Sequence, residues 1–128
     1  MKPIKQVLIW NNSVRNHLGQ KVRTGKIGAQ LAHASLQSYL NCVSCSTEHR
    51  RICTDWMHTN YTKIVLKVES LHELNKIYKK CVLLKIPCYL VEDVGNTEFN
   101  GIPTITALGI GPDYSEDIDK ICKGLSLL

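Results

Sequence analysis

The stretch KIVLKVESLHELNKIYKKCVLLKIPCYLVED, residues 63–93, decides the fold. Residues 63–68 are rich in β-branched side chains, which is typical of a β-strand. Ser70-x-x-Glu73 then matches a helix capping box, and apolar residues follow it at helical spacing. Another apolar run, Pro87 to Val91, predicts a second strand. A strand, a helix and a strand in succession indicate an α/β protein.

The rest of the chain continues this alternation in both directions. Thr24 is placed to cap a helix, Gly111-Pro112 is placed to stop a strand, and residues 11–24 form a long polar loop. For the 128 residues we expect a single domain, residues 1–128, with a three-layer α/β/α fold around a mixed sheet of about four strands. The further predicted elements are strands at Lys5–Trp10 and Thr104–Ile110 and helices at Gly25–Leu40, Ser46–His58 and Asp113–Lys123.

The net charge of +5 is distributed unevenly. Residues 1–67 contain ten Lys and Arg against two acids, whereas residues 68–128 contain six Lys against nine acids. A basic half favours an anionic partner, with nucleic acid first and a membrane surface second, although a solvated basic face would look the same. The apolar run at the N-terminus is too short for a signal peptide, so we expect a cytoplasmic protein.

Six cysteines need an interpretation. Cys42, Cys45, His49 and Cys53 have a spacing at which a compact zinc site is chemically feasible. The same residues also fit the end of one helix and most of the next, which needs no metal. Because an ordinary cytosolic protein keeps its thiols reduced, we expect free, metal-free cysteines.

A narrow polar stripe follows the first predicted helix. Lys26, Gln30, His33 and Gln37 fall within a wedge of about 60°, between two apolar flanks. The stripe fits the solvent face of a helix packed on a sheet, which is the simpler interpretation from the residues alone. It also fits the floor of a cleft that presents an ammonium, an amide and an imidazole in line.

A second candidate for chemistry is the turn at residues 93–97, DVGNT. Asp93 follows a predicted strand, and open α/β sheets bind ligands beyond the carboxyl ends of their strands. Asp93 and Thr97 could therefore present a carboxylate and a hydroxyl on one turn. An ordinary Asp/Gly turn with local hydrogen bonds is the alternative.

Several segments together resemble one family. GKIGAQLAHA, residues 25–34, resembles the GKxAAQxxHA signature of the archaeal and eukaryotic type of peptidyl-tRNA hydrolase. DVGNT is similar to the DAGxT turn of that family, and TKIVLK, residues 62–67, to its second strand. LGIGP, IDK and the final LSLL, residues 108–112, 118–120 and 125–128, are similar to its C-terminal run. The resemblance covers nearly the whole chain in order, which is more specific than a single motif.

Three departures from the family pattern stand out. WNN, residues 10–12, replaces a basic residue followed by Asp, and the loop after it is several residues longer. Gly28 replaces the first Ala of the AAQ segment. The turn after Asp93 is one residue longer, so either Thr104 or Thr106 matches the threonine of the family.

The resemblance implies hydrolysis of the ester between a peptide and the terminal ribose of tRNA. It implies that Asp93, helped by Thr97, polarises a water, and that Lys26 holds a phosphate or faces the developing oxyanion. His33 would orient groups or relay protons, because an imidazole titrates near neutral pH. The implied catalytic residues are thus Lys26, His33, Asp93 and Thr97.

The resemblance also implies how the substrate is held. Gln30 and Thr106 would position the peptide or ribose, while Lys21 and Arg23 would contact tRNA phosphates without reading bases. Arg15 and Lys5 are further candidates for such contacts. Peptidyl-tRNA is the expected partner, no cofactor and no membrane are expected, and a homodimer is one option for the assembly. The rival hypothesis is a catalytically silent module that binds tRNA or peptide on the same fold.

Overall fold

The computed structural model describes residues 2–94 and 99–128 of the chain. These residues form five strands and four helices in an α/β arrangement. None of those helices combines the length and the apolarity needed to cross a bilayer. The elements are β1 (Ile4–Asn11), α1 (Thr24–Cys45), α2 (Thr47–His58), β2 (Lys63–Val68), α3 (Leu71–Leu83), β3 (Cys88–Asp93), β4 (Thr104–Tyr114), α4 (Ser115–Cys122) and β5 (Ser126–Leu127).

The strands form one mixed sheet in the order β3-β4-β1-β2-β5. β1 and β2 are parallel, while β4 runs antiparallel to both β1 and β3. The sheet has five strands rather than about four, because Ser126 and Leu127 pair with β2 at its edge. Two residues carry too little hydrophobic pattern to be predicted as a strand. Because β1 and β3 are both antiparallel to β4, they run in the same direction and end on the same side of the sheet. This side, where the carboxyl ends of β1 and β3 lie, is the edge of the sheet referred to below.

Helices cover both faces of the sheet, which confirms the predicted three layers. Side chains alternate along β1, as the pleat requires. Val7 and Ile9 belong to a core shared with α3 and α4, and Leu8 and Trp10 belong to a second core beneath α1. α2 packs beside α1 on that second face, where the Trp56 indole donates to the carbonyl of Thr62 at 2.9 Å.

The predicted start is right for α3, which Ser70 caps, while α2 begins one residue later and α1 one residue earlier than predicted. Ser46 and Ser70 cap α2 and α3, each accepting a hydrogen bond from the amide three residues later. Thr24 is instead the first residue of α1, and Arg23 occupies the cap position. α1 also runs beyond the predicted end, to Cys45, because no Gly or Pro interrupts it.

The dipeptide Gly111-Pro112 does not stop β4, contrary to the prediction. The strand continues to Tyr114, and pairing with β1 resumes at Asp113 opposite Lys5 after a shift in register. Gly111 adopts a φ of 84°, and its carbonyl accepts hydrogen bonds from the side chains of Ser38 and Gln6 at 2.6 and 3.2 Å. The strand thus continues through Pro112 with a local irregularity in its pairing, and side chains provide hydrogen bonds to the Gly111 carbonyl there. α4 begins correspondingly later than predicted, at Ser115.

α1 lies unusually close to β4, and this contact fixes where its first turns stand. A Cβ added at Gly109 would lie 2.3 Å from the carbonyl oxygen of Ala34, so only glycine allows the approach. Gln6 on β1 donates to the carbonyl of Ser35 at 2.9 Å, and the Ser35 hydroxyl donates back to Gln6. The helix is therefore held at its middle by strand residues, which points its N-terminal turns at the edge where β1 and β3 end.

Candidate active site

Four polar side chains meet at this edge of the sheet, and we call them the Asp93 cluster: Lys26, Gln30, Asp93 and Thr106. The Lys26 ammonium donates to Asp93 Oδ2 at 2.6 Å, and the Gln30 amide donates to the same oxygen at 3.1 Å. The Thr106 hydroxyl donates to Gln30 Oε1 at 2.6 Å. A cation, a carboxylate, an amide and a hydroxyl therefore form one connected chain of hydrogen bonds.

Three elements bring the Asp93 cluster together. Lys26 and Gln30 lie one turn apart on α1, Asp93 ends β3, and Thr106 lies in the neighbouring strand β4. The structure also distinguishes the two threonines, because Thr106 is buried in the cluster whereas Thr104 donates to the carbonyl of Ile102. Thr106 is therefore the threonine that faces the site.

The charged pair in the cluster is largely shielded from water. The side chains of Lys26 and Asp93 are 16% and 9% exposed. Beneath them, the buried ring of Phe99 lies 5.9 Å from the Lys26 ammonium, which adds an apolar wall and a favourable cation–π contact. In such surroundings a charge-assisted hydrogen bond is strong, and loss of one partner leaves the other charge buried.

The structure divides the polar stripe of α1 into two parts. The side chains of Lys26 and Gln30 turn inward and contact Asp93, so these two residues are not part of a plain solvent face. His33 and Gln37 are exposed, and in the part of the chain that the structure describes neither side chain takes part in a hydrogen bond. The helical spacing predicted one face for all four residues. In the structure only the first two, Lys26 and Gln30, reach β3.

One predicted catalytic residue, Thr97, falls outside the residues that the structure describes, so its role stays a prediction. The last described residue before it, Val94, directly follows Asp93 and is 65% exposed.

Asn11 is a residue of this edge whose importance the sequence argument missed. It is buried, its amide donates to the carbonyl of Ile105 at 3.1 Å, and its Oδ1 accepts from the amide and the hydroxyl of Ser13. The side chain thus ties the end of β1 to β4 and starts the following turn. An Asn with Ser two residues later is a known turn signal, which could have identified it.

The predicted tRNA-contacting cations occupy two distant places. Arg15, Lys21 and Arg23 lie in the segment between β1 and α1, and Arg23 directly precedes that helix. Lys5 lies at the opposite end of β1, where it pairs with Asp119 at 2.5 Å. Lys5 thus lies apart from the other three cations, and its contact with tRNA stays a prediction.

The cysteine segment folds as two helices, as preferred in the sequence analysis. Cys42 and Cys45 end α1, while His49 and Cys53 lie on α2. A hydrogen bond with Cys53, together with burial, raises the pKa of the Cys42 thiol, which keeps it protonated. Within residues 2–94 and 99–128 no three His, Cys, Asp or Glu side chains form a group that could hold a metal ion.

A second buried carboxylate lies at the far end of β4. Asp113 accepts a hydrogen bond from the Tyr114 amide at 2.7 Å, and His49 Nε2 lies 3.7 Å from its other oxygen. Burial raises the pKa of Asp113, while the Tyr114 amide and His49 oppose that rise. This site shares no residue with the Asp93 cluster.

Comparison with known proteins agrees with this geometry. The family model described as "Peptidyl-tRNA hydrolase PTH2" matches residues 4–128. A peptidyl-tRNA hydrolase of Methanothermobacter thermautotrophicus is 43% identical over 127 residues, which cover 98% of this chain and 100% of the relative. Proteins of the same name from Methanococcus maripaludis and Sulfurisphaera tokodaii are 40% and 41% identical, over 90% and 81% of this chain and 94% and 86% of theirs. The chain therefore belongs to the peptidyl-tRNA hydrolase family PTH2.

Proposed function

We propose that this protein hydrolyses the ester bond between a peptide and the terminal ribose of tRNA, releasing free tRNA and free peptide. The observation that carries the proposal is the contact between Lys26 and Asp93. It joins the two most distinctive segments of the family, which are 67 residues apart in the chain. A silent binding module would have no need of a carboxylate oriented in this way.

The reaction needs a water molecule, a positioned base and a group that stabilises negative charge. Water adds to the ester carbonyl and gives up a proton, and the carbonyl oxygen becomes an oxyanion in a tetrahedral intermediate. The intermediate then breaks the bond to the ribose oxygen, which takes up a proton. The products are the peptide carboxylate and the ribose hydroxyl, so no cofactor is required.

Asp93 is the proposed group that orients and polarises the water. Its carboxylate ends a strand, and two donors that bind the same oxygen, Oδ2, fix its orientation. A carboxylate held in this way can accept a hydrogen bond from water without first reorganising. The hydroxyl of Thr97 is the proposed second contact to that water.

Lys26 and Gln30 support Asp93 in different ways. An ammonium has three N–H donors, and the bond to Asp93 uses one of them. Lys26, the cation of the Asp93 cluster, is the proposed group that faces the developing oxyanion or a phosphate of the substrate. Gln30 has its amide oxygen and nitrogen engaged by Thr106 and Asp93, so we assign it to positioning Asp93 rather than to binding peptide or ribose directly.

His33 keeps its place in the proposal as a proton relay. It is exposed on α1, one turn beyond Gln30, and we place the bound substrate on that side of the helix. The imidazole would therefore act on the bound substrate and not through the Asp93 cluster. This makes its contribution the smallest of the proposed catalytic residues.

Lys21 and Arg23 are the proposed contacts to tRNA phosphates. Both side chains are exposed and immediately precede the helix that bears Lys26. Contacts of this kind neutralise phosphates without reading bases, so affinity should fall steeply with salt and depend little on tRNA sequence.

The experiment that tests the proposal is release of labelled peptide from a model peptidyl-tRNA. We expect turnover by the natural protein and a loss of at least about a hundredfold in kcat for Asp93→Ala, with the Kd for tRNA nearly unchanged. Absence of turnover by the natural protein, together with tight tRNA binding, would favour the silent module. Equal turnover by Asp93→Ala would refute the mechanism but not the fold.

The compartment and the assembly are proposals of the same kind. The cytoplasm is the expected location, because translation there supplies the substrate. A homodimer is supported by an apolar groove of about 520 Å³ between α1, α2 and the sheet, where Leu36 and Met57 are 57% and 48% exposed. Light scattering of the purified protein tests it, and a monomeric mass would remove the dimer from the proposal.

A further inference from the structure

The segment between β1 and α1 is an ordered hairpin and not an irregular loop. Arg15 pairs with Lys21 in an isolated antiparallel bridge. Between them, the Asn16 amide donates to the Gln20 carbonyl, and Asn16 Oδ1 accepts from the amides of Leu18 and Gln20, each at 2.9 Å. One side chain therefore holds the tip of the hairpin closed.

The base of the hairpin is fixed beside the Asp93 cluster. Val14 and Val22, which flank it, are buried in the core beneath α1. Phe99, the ring below the Lys26 ammonium, belongs to the same core. Because the hairpin and the cluster share this support, the position of one is set relative to the other.

The hairpin presents cations that the described structure does not neutralise. Arg15 and Lys21 lie directly across from each other, and like charges in this arrangement destabilise a hairpin. Neither side chain forms an ion pair within residues 2–94 and 99–128, and the sequence contains no acidic residue before Glu48. The Arg15 guanidinium is also held in place, since it donates to the carbonyls of Asn12 and Val14 at 2.9 and 2.8 Å. Arg15, which is held in place, and Lys21, which lies across from it, have no ion-pair partner among the described residues, and this arrangement fits an external anion.

We propose that residues 14–22 form an arm that binds the phosphodiester backbone of the double-stranded acceptor stem of the substrate tRNA. The proposal rests on the proposed function and extends it from single cations to a built element. The terminal ribose must reach Asp93, so the single-stranded 3′ end occupies the space near Lys26. The hairpin tip at Leu18 is at most about 16 Å from Arg23, at about 3.3 Å per residue, and Arg23 directly precedes the helix that bears Lys26. The hairpin is therefore within reach of the duplex that follows a 3′ end bound near Lys26. Backbone contact is the usual way in which proteins hold an RNA duplex.

The test compares three substrates: peptidyl-tRNA, a peptidyl minihelix that keeps only the acceptor stem, and a peptidyl-CCA trinucleotide. The double variant Arg15→Ala/Lys21→Ala should lower kcat/KM for the first two by on the order of tenfold relative to the trinucleotide. The log–log salt slope of tRNA affinity should fall by about two. Asn16→Ala, which keeps every charge and loosens the tip, should give a smaller loss in the same direction. Lys76→Ala/Lys79→Ala on α3 is the charge-matched control and should leave these ratios unchanged.

Several outcomes would overturn the proposal. An equal loss on all three substrates would place the cations at the 3′ end, and no loss on any of them would exclude the arm. A loss matched by the α3 control would reduce the effect to net charge. If the natural protein shows no turnover, the proposed function fails, but binding of deacylated tRNA and of its acceptor minihelix still tests the arm through the salt slope.

Discussion

Two aspartates, Asp93 and Asp113, lie at opposite ends of β4: Asp93 pairs with Thr104 at its start, and Asp113 lies near its last residue. They are almost equally buried. Their side chains are 9% and 8% exposed. Asp93 receives a lysine ammonium at 2.6 Å and an amide at 3.1 Å, whereas Asp113 receives one backbone amide and faces an imidazole at 3.7 Å. Burial alone therefore does not identify a candidate active site. The hydrogen-bond donors around a buried carboxylate determine whether it is held as an anion.

The electrostatic surroundings of the two carboxylates differ in the same sense. The Lys26 ammonium stabilises the negative charge of Asp93 through a short, shielded bond. Among residues 2–94 and 99–128, no lysine or arginine forms an ion pair with Asp113, and Asp117 and Glu48 act with burial to raise its pKa. Asp93 is thus arranged to work as an anion, while Asp113 is a structural residue where β4 passes into α4.

The largest expected effect separates the two aspartates by function. Asp93→Asn and Asp113→Asn are matched changes, since each removes a charge and keeps the shape. We expect kcat on peptidyl-tRNA to fall by on the order of a hundredfold or more for Asp93→Asn, because an amide polarises water poorly. Asp113→Asn should retain kcat within about twofold. If both variants lost activity equally, the contrast between the two sites would be wrong.

The second expected effect concerns Lys26, the cation that contacts Asp93. Lys26→Ala should lower kcat on the order of thirtyfold and also raise KM several-fold, because the ammonium serves both the oxyanion and the substrate. Removing it also takes the ammonium away from the shielded Asp93 carboxylate, which costs stability. Lys76→Ala, on the exposed surface of α3, is the matched control. A change in KM alone would restrict Lys26 to substrate binding.

A third expected effect tests the support behind Asp93. Thr106→Val removes the hydroxyl that donates to Gln30 and leaves a buried oxygen without its donor, which should lower the free energy of unfolding by about 1–3 kcal/mol. The loosened Gln30 should in turn lower kcat about tenfold with little change in tRNA affinity. Thr104→Val, two residues earlier on the same strand, is the control, and an equal effect from it would argue against the hydrogen-bonded chain.

The elements and three of the four residues of the Asp93 cluster could be placed from the sequence, because these placements depend on local patterns. Helical spacing placed Lys26 and Gln30 on one face, and the end of an apolar run placed Asp93 at a strand terminus. What joined them was the resemblance to a family, since no periodicity reports a contact between residues 67 positions apart. The choice between Thr104 and Thr106 likewise depended on the strand register, which the sequence left open.

The errors have a common physical origin in tertiary contacts. Gly111-Pro112 is a local stop signal, but hydrogen bonds from Ser38 and Gln6 satisfy the irregular backbone there and let β4 continue. The bridge between Arg15 and Lys21 inside the predicted loop was not predicted, because the two valines beside it are buried only through the core beneath α1. In both places, contacts with distant parts of the chain determine the structure, and a local sequence pattern does not report them.

The smallest expected effect is one of stability and concerns Asp113. Because its pKa in the folded protein is raised above the ordinary value of 3.8, the folded state binds this proton more tightly than the unfolded state does. The carboxyl therefore favours folding most below about pH 4, and this contribution is lost as the pH rises through the pKa of the folded state. Asp113→Asn lacks this titration but keeps an oxygen for the Tyr114 amide. The free energy of unfolding of the variant minus that of the natural protein should therefore increase as the pH rises from 3 towards neutrality. Urea titration of both proteins at each pH measures this difference. A difference that stays constant over this range, or that changes in the opposite direction, would mean that His49 compensates the buried carboxylate fully, and Asp113 would then resemble Asp93 more closely than the distances indicate.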